Sequence, residues 1–306
     1  MKRFLSYDRG LAETAAWEPR CWVNVECPDA ADLAFLENEL GVPRDFLDDT
    51  SDVDERPRLD SDGEWRMAII RIPVPGTGDI SPYSTIPLSI IASGDITITL
   101  CYRKTDFIED FIDHSCRRNV KFPNVSAFIL RLIYSSTFWY LRYLKEMTDE
   151  VTLSERSLRR NISNAELRRL LCLQNALVFF NTSLQGNDSI IVKIRHVFPD
   201  NFDNDLLEDV EIEIRQALGT IAIYTDILEA TMDTYSSLIS NNTNDVMKRM
   251  TAITIVLMIP TLIASFYGMN VPLGVENSRY AFPIIILVAI ALSAACVFLL
   301  KRIRWL

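Results

Sequence analysis

Residues 251–267 read TAITIVLMIPTLIASFY and residues 281–300 read AFPIIILVAIALSAACVFLL, two stretches without a charged side chain. Each is close to the length of about 20 residues that an α-helix needs to cross the hydrocarbon core of a membrane. Buried core helices are the alternative, but a soluble core rarely contains two such stretches so close together. We predict a first transmembrane helix at 251–267, an outer loop at 268–280 and a second transmembrane helix at 281–300.

Basic side chains flank the two predicted spans on the same side. Lys248 and Arg249 precede the first span, and a basic tail at 301–306, which includes Trp305, follows the second. Because basic residues favour the cytosolic side and tryptophan favours the interface, both ends are expected in the cytosol. The N-terminal residues show no apolar run typical of a secretory signal. The sequence thus predicts a multi-pass protein of the plasma (inner) membrane with cytosolic N- and C-termini.

The charge of the chain is distributed unevenly. The formal net charge is −10, yet residues 248–306 carry six basic residues and one acid, Glu276, so this part is +5 and the part before it is −15. A strongly acidic soluble part argues against nucleic acid as a partner, because phosphate binding needs a basic surface. Cations are the partners that such a surface attracts.

Several features argue against an enzyme and against an organic cofactor. The chain has two histidines, His114 and His196, and its six cysteines are scattered without a CxxC pair. No nucleophile stands with a candidate base, and no phosphate-binding GxxxxGK[ST] loop occurs. ATP-driven pumping therefore has no visible source of energy in the sequence.

The part before the spans predicts an α+β cytosolic domain with mixed α/β layers. Turn signals separate short runs rich in β-branched and aromatic residues, which favour strands. These runs lie at 21–27, 65–72, 86–92 and 96–102, and helical patterns lie at 29–40, 106–116, 124–161 and 164–184. We expect an α/β domain at 1–122, followed by a helical hairpin and connector at 123–202.

Residues 203–267 predict one continuous helix, because the only glycine is Gly219 and the only proline is Pro260. At 1.5 Å per residue it would be about 100 Å long, with a stalk at 203–250. Two sets of apolar residues repeat every seven positions, a pattern typical of a coiled-coil seam. The first set is Leu207, Ile214, Ile221, Leu228 and Tyr235, and the second, interrupted by Thr225, is Leu218, Met232, Ile239 and Val246. Packing of this seam against the chain's own hairpin is the alternative for part of it.

One face of this helix carries polar residues or methionine along its length, and these residues recur in steps of three and four, with Ala230 skipped. From Asp226 the stripe continues through Asp233, Ser237, Ser240, Asn244, Met247, Thr251, Thr254, Met258, Thr261 and Ser265. Several copies around an axis would make this stripe the lining of a pore. The alternative is that the hydroxyls bond the backbone four residues back, or that the small faces pack together.

The stripe ends at Tyr267-Gly268-Met269-Asn270, before a short loop and the last span. With two C-terminal spans, a basic tail and a very long preceding helix, this motif resembles that of the CorA family of magnesium transporters. The resemblance implies a funnel-shaped homopentamer in which Gly268, Met269 and Asn270 form the selective outer mouth. Asn270 would present a ring of amide oxygens to the arriving ion, which suits a hydrated Mg²⁺.

The resemblance also implies roles for residues further along the chain. Asp233, Asn244, Met247 and Thr261 match pore positions of the family, and Met247 would form an apolar constriction that closes by dewetting. Packing between stalks is the alternative for Met247.

The acids at the start of the long helix are candidates for a regulatory metal site. By the resemblance, Asp209 matches a sensor position that would bind regulatory Mg²⁺ at a contact with a neighbouring protomer. Asp205 is a further candidate, and Asp106 or Asp110 is a candidate for the acid across the contact. Favourable interaction with the helix macrodipole is the alternative for the first of these acids.

The combined interpretation is a channel for Mg²⁺ influx, driven by the membrane potential and gated by cytosolic Mg²⁺. Many members of the family have an adjacent Pro-Glu pair in the outer loop, whereas here Pro272 and Glu276 are separated. Selectivity for zinc, cobalt or nickel on the same fold therefore stays open. A membrane-tethered sensor that conducts nothing is the third hypothesis.

Overall fold

The computed structural model describes residues 2–7, 11–76, 81–158, 164–198, 203–269, 280–303 and 305. The chain divides into two compact units, Met1–Thr231 and Met232–Leu306. The strands are β1 (Lys2–Ser6), β2 (Ala12–Thr14), β3 (Cys21–Glu26), β4 (Arg58–Asp62), β5 (Trp65–Pro75), β6 (Tyr83–Ser93) and β7 (Ile96–Cys101). The helices are α1 (Ala30–Ala34), α2 (Arg44–Ser51), α3 (Asp106–Arg117), α4 (Val125–Leu158), α5 (Asn164–Val197), α6 (Asn204–Tyr267) and α7 (Ala281–Arg302). A π-helical turn, Phe35–Glu39, continues α1.

The strands of the first unit form one seven-stranded sheet in the order β2-β1-β3-β7-β6-β5-β4. Among the described strands only β3 and β7 run parallel to each other, with Val23 opposite Ile98. The four predicted strands are β3, β5, β6 and β7, so the α+β prediction for this part is confirmed. The sequence did not predict β1, β2, β4 and α2, because these elements are short and the strands among them lie towards the edges of the sheet.

Helices cover both faces of this sheet. On one face α1, the π-helical turn and α2 bury Leu36, Phe46 and Leu47 against residues such as Val23 and Ile69. On the other face an aromatic cluster joins the sheet to α3 and α4. Its centre is Trp22, whose ring lies 5.0 Å from that of Phe128 and 5.9 Å from that of Phe111.

Helix α5 extends further than the helical pattern, which ends at residue 184, because tertiary contacts override a local turn signal. Gly186 and Asn187 favour a turn in isolation. In the structure Asn187 is fully buried, and its side chain accepts from the Arg71 backbone N–H at 2.9 Å and donates to the Arg71 carbonyl at 2.8 Å. The last pair between β4 and β5 joins Arg58 to Ile69, so Asn187 continues the ladder just beyond the end of β4.

The side chain of Arg71 is held by several elements at once. Its guanidinium donates to the carbonyls of Val53 at 3.0 Å, Glu55 at 2.7 Å and Thr85 at 2.6 Å. Burial lowers the pKa of the Arg71 guanidinium. The hydrogen bonds to the three carbonyls replace those that the charged group would make with water. Arg71 therefore ties β5, β6 and the segment before β4 together.

The long helix and the two apolar helices of the prediction are present. Two helices in the described part of the chain, Asn204–Tyr267 and Phe282–Arg302, are long and apolar enough to cross a membrane. Within the first unit the seven-residue seam of α6 is largely buried in the single chain, at Ile214, Ile221 and Leu228. The alternative that the chain itself covers part of this seam is therefore correct there.

Candidate ion-conduction pathway

The polar stripe lies on α6 and is open to the surroundings in the single chain. Met247 is 61% exposed and Met258 is 65% exposed, although both are apolar. The other predicted lining residues that are exposed are Asp233, Asn244, Thr251, Thr254, Thr261 and Ser265. A stripe of this kind suits a partner or an aqueous space, because carboxylate and amide groups are unfavourable in contact with lipid.

Helix α7 faces a different side of α6. A crevice of about 850 Å³ lies between the two helices and is almost entirely apolar. On the α6 side its lining residues are Val256, Leu257, Pro260, Ile263, Ala264, Tyr267 and Gly268. Four stripe residues at the same level, Thr254, Met258, Thr261 and Ser265, are not part of this lining. The second span therefore leaves the polar stripe uncovered.

Three threonines of the stripe make the same hydrogen bond. The hydroxyls of Thr251, Thr254 and Thr261 donate to the carbonyls four residues before them, at 2.8, 2.9 and 2.9 Å. The backbone bond that the sequence offered as an alternative is therefore present at these three residues, and it does not decide what their exposed side faces. A hydroxyl that donates its proton inward keeps its lone pairs, so each threonine presents an acceptor on the exposed face.

The helix ends directly before the Gly-Met-Asn tripeptide at 268–270. Helix α6 finishes at Tyr267, and the Gly268 N–H donates to the Ala264 carbonyl at 2.9 Å. A Cβ atom at Gly268 would lie 3.3 Å from that carbonyl oxygen, a tight contact. Met269 is 54% exposed, and Asn270 lies outside the described residues. Glycine thus allows the compact end of the helix directly before Asn270.

At the other end of the membrane segment the stripe borders a depression that the sequence did not predict. Its volume is about 560 Å³, and Trp305 of the C-terminal tail forms part of its lining. The α6 residues that line it are Asn241, Asn244, Asp245, Met247, Lys248 and Thr251. The sequence placed Trp305 only at the membrane interface, and its position after a run of basic residues was the one available signal.

The candidate regulatory acids are separated along α4. Asp106 is the first residue of α3 and influences the ionisation of Tyr143, whereas Asp209 in α6 influences that of Tyr134. Burial raises the pKa of Tyr134, and the negative charges of Glu213 and Asp209 raise it further. The influence of Asp209 and Glu213 on Tyr134 indicates that the start of α6 lies near α4.

No group of three potential metal-binding side chains occurs among the described residues. Asp205 lies in the first turn of α6, where it also complements the helix dipole. Asp110 accepts a hydrogen bond from the Trp139 indole at 3.0 Å. A regulatory metal site built from these residues would need ligands from a second copy of the chain.

A soluble α/β domain, a very long helix and two apolar helices near the C-terminus define an integral membrane protein of the channel and transporter class, not an enzyme. The family model described as CorA-like Mg²⁺ transporter protein matches residues 18–302. The chain belongs to this family.

Relatives and solved structures agree over nearly the whole length. The cobalt/magnesium transport protein CorA of Methanocaldococcus jannaschii is 24% identical over 292 residues, which is 93% of this chain and 91% of that protein. The protein of the same description from Thermotoga maritima is 21% identical over 293 residues, 93% of this chain and 83% of that one. The complete structure of the CorA magnesium transporter from M. jannaschii matches with a TM-score of 0.84 at 21% identity, covering 100% of this chain and 99% of that one. The structural likeness establishes the common fold.

Proposed function

We propose that the chain is one subunit of a homo-oligomeric channel that admits Mg²⁺ into the cell. The observation that carries the proposal is the uncovered polar stripe on α6, which α7 leaves open on the side away from their shared crevice. Family membership supports transport as the function, and the curated relatives are named for cobalt and magnesium. Several copies around an axis would turn the stripe inward and surround it with water.

The oligomer has a second supporting feature on the cytosolic part of α6. Beside its buried seam the helix has an exposed apolar side, where Ile212 is 49%, Ile223 58% and Ile227 44% exposed. A stalk with one apolar side buried by its own chain and another exposed suits contact with a neighbouring copy. The pentamer implied by the family resemblance would use both the stripe and this side.

The mass of the complex in mild detergent tests the assembly. We expect Ile223→Asp to shift the mass from the oligomer to the monomer, because a carboxylate would be buried in the contact. Ile223→Val should keep the oligomer. An Ile223→Asp protein that assembles like the wild type would exclude this side of α6 from the interface.

The hydrogen bonds of the stripe suit a hydrated cation. Mg²⁺ gives up its waters reluctantly, and the waters around it point their hydrogens outward. A lining that holds the hydrated ion therefore needs acceptors, and the back-bonded Thr251, Thr254 and Thr261 provide hydroxyl oxygens of this kind. Uncharged acceptors hold the ion weakly enough for it to leave.

At the outer mouth, Gly268, Met269 and Asn270 are the proposed selective ring, with the Asn270 amide oxygen as the first ligand of the hydrated ion. At the inner end, Asn244 and Met247 are the proposed constriction, and Asp233 is the proposed exit to the cytosol. An apolar ring at Met247 would close by loss of water from the pore.

The membrane potential is the proposed driving force. A dication that moves inward through 100 mV gains about 4.6 kcal/mol, twice the value for a single charge. The orientation that this requires places Lys248, Lys301 and Arg302 on the cytosolic side of the inner membrane, in agreement with the distribution of basic residues.

Cytosolic Mg²⁺ is the proposed gating ligand. Acids at the start of α6, with Asp209 and Asp205 foremost, would share a bound Mg²⁺ with Asp106 of a neighbouring copy, and the neutralised contact would hold the pore shut. Asp209→Asn should therefore keep uptake high when internal Mg²⁺ is high. Equal inhibition of the variant and the wild type would remove Asp209 from the gate.

Zinc, cobalt or nickel is the alternative cargo on the same fold. The relatives named for both cobalt and magnesium keep cobalt open. The proposed lining offers oxygen ligands and the thioether groups of Met247 and Met258, and oxygen ligands favour Mg²⁺ over zinc. A membrane-tethered sensor is the alternative that predicts no uptake at all.

Uptake of Mg²⁺ into liposomes that contain the purified protein tests the proposal, with Co²⁺, Zn²⁺ and Ni²⁺ as competitors. We expect uptake by the wild type that depends on an inside-negative potential and is lost in Asn270→Ala. Tyr280→Ala, at an exposed aromatic outside the motif, is the matched control and should keep uptake. If the folded wild type shows no uptake at any membrane potential, the transport proposal is wrong and the membrane-tethered sensor is the hypothesis that is left.

A further inference from the structure

A cleft between α3 and α4 lies within the first unit. Its volume is about 360 Å³, inside the range of about 300–1,000 Å³ that is typical of small-molecule sites. Aromatic rings and charged groups both contribute to its lining, and none of the proposed pore residues does. The cleft is therefore a candidate site that the transport proposal does not use.

The cleft lies in a basic part of an otherwise acidic domain. Residues 114–145 contain six basic residues and no acid, although the chain before residue 248 carries a net charge of −15. Two of the six, Arg118 at the end of α3 and Arg131 in α4, line the cleft. Basic groups that are concentrated in one place attract anions. The charge of the cleft thus favours an anionic ligand.

The Arg131 guanidinium has an unsatisfied donor. Its Nε atom is buried and has no hydrogen-bond partner in the described part of the chain. A buried donor without a partner costs about 1–3 kcal/mol, and more where the group is charged. An anion bound in the cleft would supply the missing acceptor.

The two lining arginines also differ from their basic neighbours. Arg117 and Arg142 each pair with an acid of their own helix at 3.4 Å. Within the described ranges, neither Arg118 nor Arg131 forms an ion pair with a carboxylate. The guanidinium groups that line the cleft are therefore the ones left to bind a ligand.

The α4 side of the cleft is aromatic. Tyr134 and Phe138 form a T-shaped pair with ring centroids 4.9 Å apart, and Phe138 is 45% exposed. The Trp139 indole also lines the cleft and donates to one carboxylate oxygen of Asp110 at 3.0 Å. Exposed rings of this kind are stacking surfaces for a nucleic-acid base. The second carboxylate oxygen of Asp110 suits the hydroxyls of a ribose.

The basic and aromatic parts of the cleft lie close together. Burial raises the pKa of Tyr134 and the charge of Arg118 opposes the increase, which indicates that the guanidinium lies near the phenol. Asp209 and Glu213 of α6 raise the same pKa, but they do not line the cleft. One ligand can therefore contact a guanidinium and an aromatic ring at the same time.

We propose that the cleft between α3 and α4 binds a nucleoside phosphate. The phosphate groups bind Arg118 and Arg131, because guanidinium groups match phosphate oxygens with parallel N–H donors. The base stacks on the exposed ring of Phe138, beside Trp139. The site is separate from the proposed conduction pathway, so the ligand binds whether or not the chain transports an ion.

Equilibrium binding of radiolabelled ATP to the purified full chain in mild detergent tests the proposal. We expect saturable binding, and we expect adenosine and inorganic phosphate to compete at least tenfold more weakly than unlabelled ATP, because each fills only part of the cleft. A folded protein that shows no saturable binding up to about 1 mM ATP would overturn the proposal. Competition by phosphate as strong as that by ATP would also overturn it, since the base would then contribute nothing.

Substitutions of the arginines test the phosphate contacts. Arg118→Met and Arg131→Met should each weaken ATP binding about tenfold or more, because each removes charge-assisted hydrogen bonds. Arg117→Met and Lys145→Met remove the same charge from the same two helices outside the lining, and they should bind ATP like the wild type. Equal losses in the lining variants and the controls would reduce the effect to net charge and overturn the site.

Two further measurements keep the test decisive if Arg131→Met fails to fold. Phe138→Ala, at an exposed ring, should weaken ATP binding severalfold and leave competition by inorganic phosphate unchanged. Photolabelling of the wild type with 8-azido-ATP should modify peptides within residues 110–139, and labelling exclusively elsewhere would overturn the proposal. Neither measurement involves Mg²⁺ uptake, so failure of this site and failure of the transport proposal are distinguishable.

Discussion

The two units of the molecule use their polar side chains in opposite ways. In the first unit buried polar groups bond across elements, as Asn187 does to the backbone of Arg71 and as the Trp22 indole does to Thr99 at 2.7 Å. In the second unit Thr251, Thr254 and Thr261 bond to carbonyls of their own helix and remain exposed. The first pattern joins elements within one chain. The second leaves the hydroxyl oxygens available as acceptors for water, an ion or another chain.

This difference separates residues that hold the fold from residues that serve transport. A substitution in the first network should change the free energy of unfolding. A substitution in the stripe should change ion uptake and leave the fold of the single chain largely intact. Four substitutions test this separation, in decreasing order of expected effect.

Asn187→Ala should have the largest effect on stability. It leaves the Arg71 N–H and carbonyl without this partner beside a new cavity, at a cost of about 2–4 kcal/mol in the free energy of unfolding. Thermal unfolding of the full chain in mild detergent measures it. Gln185→Ala, on the exposed side of the same helix, is the matched control. Equal midpoints for the two variants would contradict the structural role of Asn187.

Gly186→Ala should lower the free energy of unfolding by about 1–2 kcal/mol, although alanine is the better helix former. A Cβ atom there would lie 2.7 Å from Cγ and 2.9 Å from Cδ of the Pro57 ring. Ser189→Ala, at an exposed position of α5, should change stability by no more than a few tenths of a kcal/mol. A higher melting temperature for Gly186→Ala would show that helix propensity outweighs the Pro57 contact.

Thr261→Val should lower the rate of Mg²⁺ uptake by about 2- to 10-fold, the value of one hydrogen-bond acceptor. Thr261→Ser keeps the hydroxyl and should keep most of the uptake. Ser293→Ala removes a hydroxyl that faces the crevice between α6 and α7, and it should leave uptake unchanged. Equal losses in Thr261→Val and Ser293→Ala would break the distinction between the stripe and the crevice.

The substitution Glu26→Gln should have the smallest effect, which is a change in how the melting temperature depends on pH. Burial raises the pKa of this carboxyl above its ordinary value, while the Thr105 N–H donates a hydrogen bond to it and opposes the increase. A raised folded pKa means that the stabilisation from protonation is present at low pH and is lost as the pH rises through the folded value. The wild type should therefore gain stability relative to Glu26→Gln as the pH falls from 7 towards 5. A constant difference between their melting temperatures would contradict this linkage.

The sequence predicted the elements whose signal is long and periodic. The charge-free stretches gave α7 and the end of α6, and the uninterrupted pattern from Asp203 gave the 64-residue helix. The core strands followed from their β-branched runs. These signals are local, and the tertiary structure reinforces them.

The sequence did not predict features that arise from contacts between distant residues. The residues around Gly186 and Asn187 carry no local signal for their contacts with Pro57 and Arg71. The turn signal at this point therefore predicted that α5 ends too early. The depression that Trp305 and Asn244 both line likewise joins residues that are far apart in the sequence. The roles of the stripe and of Asn270 remain predictions.

Cysteine modification tests the central proposal, that the stripe lines the pathway, most directly. Thr261→Cys and Leu262→Cys place a thiol on adjacent positions of α6, on and off the stripe, in proteins treated with a charged methanethiosulfonate reagent during Mg²⁺ uptake. We expect the reagent to block uptake in Thr261→Cys, with protection by Mg²⁺, and to leave Leu262→Cys and the wild type active. Block at Leu262→Cys with none at Thr261→Cys would place the pathway on another face of the helix and contradict the proposal.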